Sequence, residues 1–332
     1  MVFDHFPEYA EHLKPRLDAA FAEHLARLLG DTKPLRPSEE ANLLKGGKKI
    51  RGTLLCLVTA ALGGTLDAAL PRAIAVELIQ AATLIHDDFV DQHRVRRNLP
   101  AIWTLEGARR AVLLGDIIFS SAIQMMGELG REDGVIVSRA IAEISRGAYQ
   151  EPLNPGALVE EMEGGGLDPA LYEKIIYLKT GVLFGTACQL GAVAANADEK
   201  SRCALHRYGV KVGEAYQLAD DLHDVEHALR SRCVTANELA ALAPPLLFFD
   251  GECRPFLLAA LRQGSLELTG EPREHFRAVA DRMRTEKEKR LRAAVAGVGE
   301  DVPDNGLCRL VHRAPWDLVR MFDSEASPAS WP

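Results

Sequence analysis

Apolar residues recur every three or four positions along most of the chain as far as residue 229. This is the period of an amphipathic α-helix. The pattern predicts helices over 6–29, 51–62, 70–90, 107–129, 135–148, 169–195 and 200–229. Alternating apolar and polar runs bounded by hairpin turns are hard to find. Breaks between helices are expected at 63–64, 97–100, 164–166 and 244–245, where Gly, Pro or polar residues cluster.

The helices predicted between residues 51 and 229 carry Ala, Leu and Ile on more than one face. Helices that are apolar nearly all round are typical of the interior of a large bundle. Charge rises after residue 230, and residues 282–290 have the composition of a solvated helix face. The sequence therefore predicts an all-α fold with one domain over residues 1–332, whose C-terminal part, from about 231, is variable.

Charge and cysteine usage narrow the function classes. The net charge of −8 argues against nucleic acid as a partner, because affinity for phosphate backbones requires clustered Lys and Arg. No two of the six cysteines form a CxxC pair, and the N-terminus lacks a basic segment followed by an apolar one. We therefore expect a cytoplasmic protein with reduced thiols. No uninterrupted apolar run is long enough to cross a bilayer, so no transmembrane segment is expected.

Two short acidic motifs carry the candidate chemistry. They are Asp87-Asp88-Phe89-Val90-Asp91 and Asp220-Asp221-Leu222-His223-Asp224. On a helix, the first and last Asp of each motif lie one turn apart on the same face. Three carboxylates in one turn repel each other, and each motif ends an apolar stretch where uncompensated charge is costly. Hard oxygen ligands without cysteine suit Mg²⁺, which leaves coordination positions for water or phosphate.

A single motif of this kind would be interpreted as part of a solvated helix face. The second copy, with the same spacing and the same apolar approach, makes that interpretation less favourable. Two such motifs on separate helices suit a diphosphate that is bound through several metal ions.

At this point the sequence resembles a known family, the trans-isoprenyl diphosphate synthases (polyprenyl synthetases), over residues 45–225. Besides the two acidic motifs, the shared segments occur in the family's order. They are Gly46-Gly47-Lys48-Lys49-Ile50-Arg51, Arg96-Arg97, Gly115-Asp116, Lys179-Thr180 and Tyr216-Gln217. The resemblance implies a single large helical bundle around a central cavity, and a homodimer. It also implies an enzyme that condenses an allylic diphosphate with isopentenyl diphosphate.

The resemblance also implies roles for individual residues. Those expected to bind the diphosphate of isopentenyl diphosphate are Lys48, Arg51 and Arg97, with Gln80 nearby. Those expected to ligate Mg²⁺ on the allylic diphosphate are Asp87, Asp88, Asp91 and Asp220, supported by Asp221 and Asp224. Those expected to contact the allylic substrate are Arg96, Lys179, Thr180 and Gln217. The residues assigned to catalysis are Asp87, Asp88, Asp91, Lys179 and Asp220.

Product length is expected to depend on the helix that precedes the first motif. Ala82 and Thr83 are small, and Ile79 and Val76 on the preceding turns are β-branched and of moderate size. In the family, bulky aromatic residues near the first motif are associated with short products. We therefore expect a trans-polyprenyl diphosphate of about twenty carbons or longer, because pocket volume limits the chain that fits.

Three segments depart from the family pattern. Gln80 stands where many members have His, although an amide still donates a hydrogen bond. Asn98-Leu99-Pro100-Ala101 replaces the usual Gly-Lys-Pro-Thr. After the second motif, residues 225–233 lack the usual lysines, and Arg230 or Arg232 are the candidates to replace them.

Other interpretations remain open. One is a non-catalytic or regulatory subunit of a prenyl synthase, and another is a class I terpene cyclase. The intact aspartates argue against the first, and the two motifs with Lys48 and Arg51 favour chain elongation over the second. His223, Glu226 and His227 also match the HxxEH signature of zinc peptidases. A motif this short has a high false-positive rate, and no third ligand is evident.

Overall fold

The computed structural model describes residues 3–29, 47–96, 98–150, 155–165, 170–298 and 305–323. The α-helices within these ranges are α1 (Phe6–Leu29), α2 (Ile50–Ala61), α3 (Leu66–Val90), α4 (Ile102–Glu106), α5 (Ala108–Leu129), α6 (Arg131–Gln150), α7 (Pro155–Glu163), α8 (Leu171–Ile176), α9 (Val182–Ala194), α10 (Glu199–Arg230), α11 (Ala236–Phe249), α12 (Arg254–Gln263), α13 (Gly270–Ala296) and α14 (Gly306–Asp323). A π-helical segment, Tyr177–Gly181, joins α8 to α9, and a 3₁₀ turn, Gly251–Cys253, precedes α12. The predicted all-α class is confirmed.

Two small antiparallel pairs are the strands of the described chain. Strand β1 (Val95–Arg96) pairs with β2 (Leu99–Pro100), and β3 (Cys233–Thr235) pairs with β4 (Ser265–Glu267). The first pair is a tight hairpin whose turn residue Asn98 has a φ of 63°. Asn tolerates this left-handed conformation better than most residues do.

The prediction of a break at 244–245 is wrong, because both prolines lie inside α11. Proline in a helix interior removes a backbone donor and clashes with the preceding turn. In α11, Thr235 and Glu238 form a capping box at the N-terminus, and Leu239, Leu242 and Leu246 are buried. The burial of this apolar face offsets the cost of the two prolines.

The chain divides into two compact units, each built from three segments. The first comprises residues 1–143, 183–209 and 297–314. In it, α2 is buried over nearly its whole length. Arg72 on α3 makes a bidentate ion pair with Asp133 on α6, at 2.7 and 2.9 Å. A Cβ on Gly209 would lie 2.4 Å from the carbonyl oxygen of Phe184, so α9 and α10 pack backbone to backbone.

The second unit comprises residues 144–182, 210–296 and 315–332. Its core is a cluster of buried apolar side chains from α7, α8 and α10–α13, including Leu158, Leu222, Leu246 and Phe276. Packing of these side chains around α10 fixes the stretch that carries the second acidic motif. The prediction that the chain forms one domain stays a prediction.

Three helical stretches are long and apolar enough to cross a membrane by length and composition alone. They are Leu66–Val90, Ala108–Leu129 and Leu171–Ala194, and the protein buries 56%, 33% and 83% of their most apolar windows. The expectation that the chain has no transmembrane segment therefore stays an expectation.

Candidate functional site

The first acidic motif forms the C-terminal turn of α3. Asp91 is the residue that ends the helix, and its backbone N–H donates to the carbonyl of Asp87 at 2.8 Å. Asp88 is 5% exposed, whereas Asp91 is exposed and Asp87 lies between these extremes. The C-terminal end of a helix carries partial negative charge, which disfavours carboxylates. This turn therefore needs compensating positive charge.

One compensating charge comes from the hairpin that follows the motif. Nε of Arg96 on β1 donates to Oδ1 of Asp88 at 2.6 Å. The pair is only partly shielded, since the Arg96 side chain is 29% exposed. Arg96 was expected to contact the allylic substrate, and the structure adds an ion pair with the motif itself. Arg97, expected to bind a diphosphate, lies outside the described residues.

Aromatic contacts hold the segment between the motif and the hairpin. Trp103 on α4 donates its indole N–H to the carbonyl of His93 at 2.7 Å, and its ring meets Phe89 edge-on at 6.1 Å. The guanidinium of Arg94 lies 5.9 Å from the Trp103 ring centroid. His86, next to the motif, forms a hydrogen bond with the backbone carbonyl of Val112 at 3.0 Å. These contacts fix the loop that presents Arg96 to Asp88.

The expected basic residues at the start of α2 have different surroundings. Lys48 is exposed, yet nearby protein atoms remove part of its hydration and lower its pKa. Lys49 has a φ of 43° and its ammonium pairs with Asp18 on α1. The guanidinium of Arg51 stacks 4.6 Å from the ring centroid of Phe184. Lys49 is therefore held by an acidic side chain and Arg51 by an aromatic ring.

The expected chain-length residues lie on α3 before the motif. Val76, Ile79 and Ala82 are fully buried. Thr83 is partly exposed and donates its hydroxyl to the backbone carbonyl of Gln80 at 2.9 Å, a bond that does not use the Gln80 amide. Their role in product length stays a prediction.

The second motif lies within α10, and all three of its carboxyl groups resist ionisation. Burial raises the pKa of Asp220, and the charge of Asp224 raises it further. Burial raises the pKa of Asp221 to about 7, although hydrogen bonds from Tyr172 and Gln217 act in the opposite direction. Asp224 is exposed, yet nearby protein atoms remove part of its hydration and raise its pKa. Carboxyl groups that have lost hydration fit Mg²⁺, which would restore their charged form.

Side chains from the π-helical segment and from α8 surround this motif. The charge of Lys179 favours the ionised forms of Asp220 and Asp221. Thr180 bonds to Gln217, and Gln217 bonds to both of these aspartates. The structure thus brings Lys179, Thr180 and Gln217 to the second motif. Their contact with an allylic substrate stays a prediction.

Tyr172 is the contact of this motif that the sequence interpretation missed. Its hydroxyl donates to Oδ2 of Asp221 at 2.6 Å. Tyr172 lies 49 positions before Asp221, and no local motif marks it. Only the packing of α8 against α10 shows that the two side chains meet.

The segment after the second motif has its own ion pairs. Glu226 accepts from Arg284 on α13 at 2.6 Å, so the carboxylate of the HxxEH match is already paired. Arg273 donates to the carbonyl of Leu229 at 2.6 Å near the end of α10. Arg230 is the last residue of α10, and the backbone carbonyl of Arg232 accepts the N–H of Leu268. Whether either arginine replaces the missing lysines stays a prediction.

Within the described ranges, one group of three potential metal-ligating side chains converges, with ligand atoms within 4.8 Å of one another: Asp250, Cys253 and His275. Asp250 already pairs with His275 at 2.8 Å and with Arg282 at 3.8 Å. Burial raises the pKa of the Cys253 thiol to about 12. Arg282 also bonds to the carbonyl of Phe249, the last residue of α11. These contacts explain the group as a cap on the C-terminal end of α11.

The fold and the site thus define an all-α protein with two DDxxD motifs, each with basic or amide side chains beside its carboxyl groups. Comparison with known protein families identifies the family to which the chain belongs. Residues 33–230 match the polyprenyl synthetase family, which is more than half of the chain. The chain belongs to this family, as its motifs indicated.

Individual relatives agree with this placement. The chain is 32% identical to a geranylgeranyl diphosphate synthase from Methanosarcina mazei, over 63% of this chain and 64% of the relative. It is 35% identical to one from Mycobacterium tuberculosis, over 53% of this chain and 50% of the relative. The match thus spans between half and just under two thirds of these relatives. A polyprenyl synthase from Caulobacter crescentus, crystallised with calcium and isoprenyl diphosphate, superposes with a TM-score of 0.70. It is 25% identical, over 93% of this chain and 97% of that one.

The ion pair between Arg96 and Asp88 predicts a metal-dependent effect on stability. We expect Arg96→Gln to destabilise the protein by about 1–3 kcal/mol, because it leaves a poorly exposed carboxylate without its partner. Millimolar Mg²⁺ should raise the Tm of this variant more than that of the unaltered protein, since a bound cation replaces the missing charge. Thermal unfolding with and without Mg²⁺ measures both effects.

Arg94→Gln is the matched control, because Arg94 stacks on Trp103. It should show a smaller loss of stability and an ordinary Mg²⁺ shift. Equal Mg²⁺ shifts in both variants would show that Asp88 does not take part in cation binding.

Proposed function

We propose that the protein is a trans-prenyltransferase that condenses an allylic diphosphate with isopentenyl diphosphate. The product is a trans-polyprenyl diphosphate of about twenty carbons or longer. The observation that carries the proposal is the second motif, whose three carboxyl groups have raised pKa values while Lys179, Gln217 and Tyr172 converge on two of them. Such a group of oxygens favours a metal–diphosphate ligand. The names of the relatives, which are diphosphate synthases, support the same activity.

The proposed reaction has three steps. The C–O bond of the allylic diphosphate breaks, and its electron pair leaves with the diphosphate. The double bond of isopentenyl diphosphate then attacks the allylic cation and forms a new C–C bond. Loss of a proton restores a double bond, and the released diphosphate accepts that proton. Lys48 and Arg51 would bind the diphosphate of isopentenyl diphosphate, and the apolar residues of α3 would shield the cation from water.

Mg²⁺ is the proposed cofactor of both motifs. When bound, it would supply positive charge to the leaving diphosphate, where negative charge develops. The proposed ligands are Asp87, Asp88 and Asp91 in the first motif and Asp220, Asp221 and Asp224 in the second.

We propose that a second copy of the chain covers α5. Leu113, Ile117 and Ile123 on this helix are large apolar side chains that are between 38% and 49% exposed. Leu113 and Ile117 also line a surface depression together with Leu28, Ser120 and Gln124. The lining also includes Asp116, and this mixture of apolar, polar and acidic side chains suits a protein partner better than a lipid phase.

We also propose a cytoplasmic location without a transmembrane segment. All six cysteines lie in the described residues and none forms a disulfide, which is typical of a reducing compartment. The apolar stretches Leu66–Val90 and Leu171–Ala194 carry proposed site residues and are largely buried by the protein itself.

The activity predicts product formation by the protein purified alone. With Mg²⁺, an allylic diphosphate and labelled isopentenyl diphosphate, we expect an extended labelled product and release of pyrophosphate. Chelation of the metal should abolish both, and added Mg²⁺ should restore them. Mass analysis of the product gives its length. A protein that forms no product without another subunit would instead be the non-catalytic partner of a synthase, and a cyclic product would indicate a terpene cyclase.

The role of α3 predicts a change in product length. Ala82→Phe should shorten the product, because the ring fills space one turn before the first motif. Ala82 is fully buried, so the substitution should also cost about 1–3 kcal/mol of stability. Ala81→Phe is the control, since Ala81 is partly exposed on another face of α3. If both variants give the product of the unaltered protein, α3 does not determine product length.

The α5 surface predicts the oligomeric state. The unaltered protein should have twice the 36.3 kDa mass of one chain by light scattering. A variant with both Leu113→Glu and Ile117→Glu should have the mass of a monomer, because it buries charge in the interface. Tyr149→Glu, at a site that is 91% exposed, should leave the mass unchanged. A monomeric unaltered protein that binds lipid vesicles through α5 would contradict the proposal.

A further inference from the structure

Both oxygens of Asp221 accept hydrogen bonds from neutral donors. Tyr172 donates its hydroxyl to Oδ2 at 2.6 Å, and Gln217 donates its amide N–H to Oδ1 at 2.9 Å. A carboxylate has about four lone-pair positions, so two remain for a cation or water. The two bonds approach from different elements and therefore fix the plane of the carboxylate.

The orientation of the Gln217 amide is itself determined. Thr180 donates its hydroxyl to Oε1 of Gln217 at 2.6 Å. The amide nitrogen must then face the aspartates, and it also lies 3.3 Å from Oδ2 of Asp220. In the ionised form that binds a cation, the carboxylates only accept hydrogen bonds, so this orientation satisfies every group. Thr180 thus acts on both aspartates through Gln217.

Tyr172 has little freedom to move. It is 2% exposed, and its ring lies 5.4 Å from that of Phe248 and 6.0 Å from that of Phe249. These contacts fix the ring from the side of α11. The hydroxyl is therefore presented to Asp221 without a large loss of side-chain entropy on binding.

An ion-pair network links α8 to α10 next to this bond, and it is buried at Arg290 and Glu214 but exposed at Glu173. Arg290 on α13 donates to Glu214 at 2.7 Å and to Glu173 at 3.0 Å. Glu173 is the neighbour of Tyr172, and Glu214 lies two helical turns before Asp221. Arg290 also bonds to Glu286 on its own helix at 3.0 Å. The network therefore sets the separation of the two helices that carry Tyr172 and Asp221.

The π-helical segment positions Thr180, the residue that donates to Gln217. Tyr172 precedes this segment and Thr180 lies within it, and both reach α10. A Cβ on Gly181 would lie 3.3 Å from Cγ of Glu214, so the segment approaches α10 closely there. A π-turn adds a residue to the helical turn and is often found at functional sites. Here Thr180 lies within the π-turn and donates to Gln217.

We propose that Tyr172, together with Thr180 and Gln217, forms a hydrogen-bonded frame that positions Asp221 and Asp220 for the metal–diphosphate ligand. The inference rests on the proposed function, since it assumes that the second motif binds this ligand. Tyr172 is a positioning residue and touches no substrate. Loss of outer partners of this kind typically weakens metal binding or activity by about 10- to 100-fold.

Tyr172→Phe tests the frame, because it removes the hydroxyl and keeps the ring. We expect the Mg²⁺ concentration for half-maximal activity to rise by about tenfold, with a smaller change in kcat at saturating Mg²⁺. Calorimetric titration of the protein with inorganic pyrophosphate, at several Mg²⁺ concentrations, should show the same shift without any turnover. Thr180→Val should act in the same direction, since it frees the Gln217 amide to turn.

Tyr208→Phe is the matched control. Tyr208 is 1% exposed, and its hydroxyl donates to the backbone carbonyl of Val311 at 2.7 Å in the other compact unit. Loss of this hydroxyl should lower the Tm and leave the Mg²⁺ dependence unchanged. The control therefore separates general destabilisation from misplacement of the motif.

The outcomes distinguish the inference from the proposed function. If the unaltered protein neither binds pyrophosphate with Mg²⁺ nor forms product, the proposed function is wrong, and the inference with it. If it does both, but Tyr172→Phe has a lower Tm and an unaltered Mg²⁺ dependence, Tyr172 is only structural. If Tyr172→Phe does not fold, an unaltered Mg²⁺ dependence in Thr180→Val would overturn the frame.

Discussion

Both acidic motifs place carboxyl groups at partly buried positions on apolar helices, where their charge must be compensated. The contacts around both motifs depend on this constraint. The two motifs meet it differently. In the first, Arg96 forms a direct ion pair with Asp88. In the second, two neutral donors orient Asp221, and burial keeps its pKa raised. A hydrogen bond from a neutral group fixes a carboxylate without cancelling its charge. The second motif therefore has no direct ion pair among the contacts described above, and the nearby charge of Lys179 only partly offsets its negative charge.

The aspartates of the second motif keep their positions only if the helices around them are held in place. Arg290 and Glu214 are each less than a tenth exposed, and a buried ion pair of this kind adds little net stability because both charges lose hydration. Its geometry, however, is specific, since the guanidinium contacts Glu173, Glu214 and Glu286 at once. We interpret the network as setting the spacing of α8 and α10, which the hydrogen bonds to Asp221 require.

The sequence predicted local structure well and side-chain partners poorly. The predicted 6–29 matches α1, and the predicted 200–229 differs from α10 by one residue at each end. Helical periodicity is a property of the local sequence, so it can be recognised without knowing which segment the helix packs against. The two prolines of α11 misled the prediction because buried apolar contacts stabilise that helix. Tyr172 and the π-turn were missed for the same reason, as both depend on packing between distant segments.

Residues 225–233 lack the family's usual lysines, so the positive charge near the second motif must come from other residues of this unit. The segment after α10 is held in place, because β3 pairs with β4 and Arg273 bonds to the carbonyl of Leu229. Arg284 is likewise engaged by Glu226 and Asp281. Lys179, by contrast, acts electrostatically on Asp220 and Asp221. It lies on the same π-turn that positions Thr180. A change in that turn would thus alter both the charge near Asp220 and Asp221 and the hydrogen bond to Gln217, so this segment acts on the second motif more directly than the exit of α10 does.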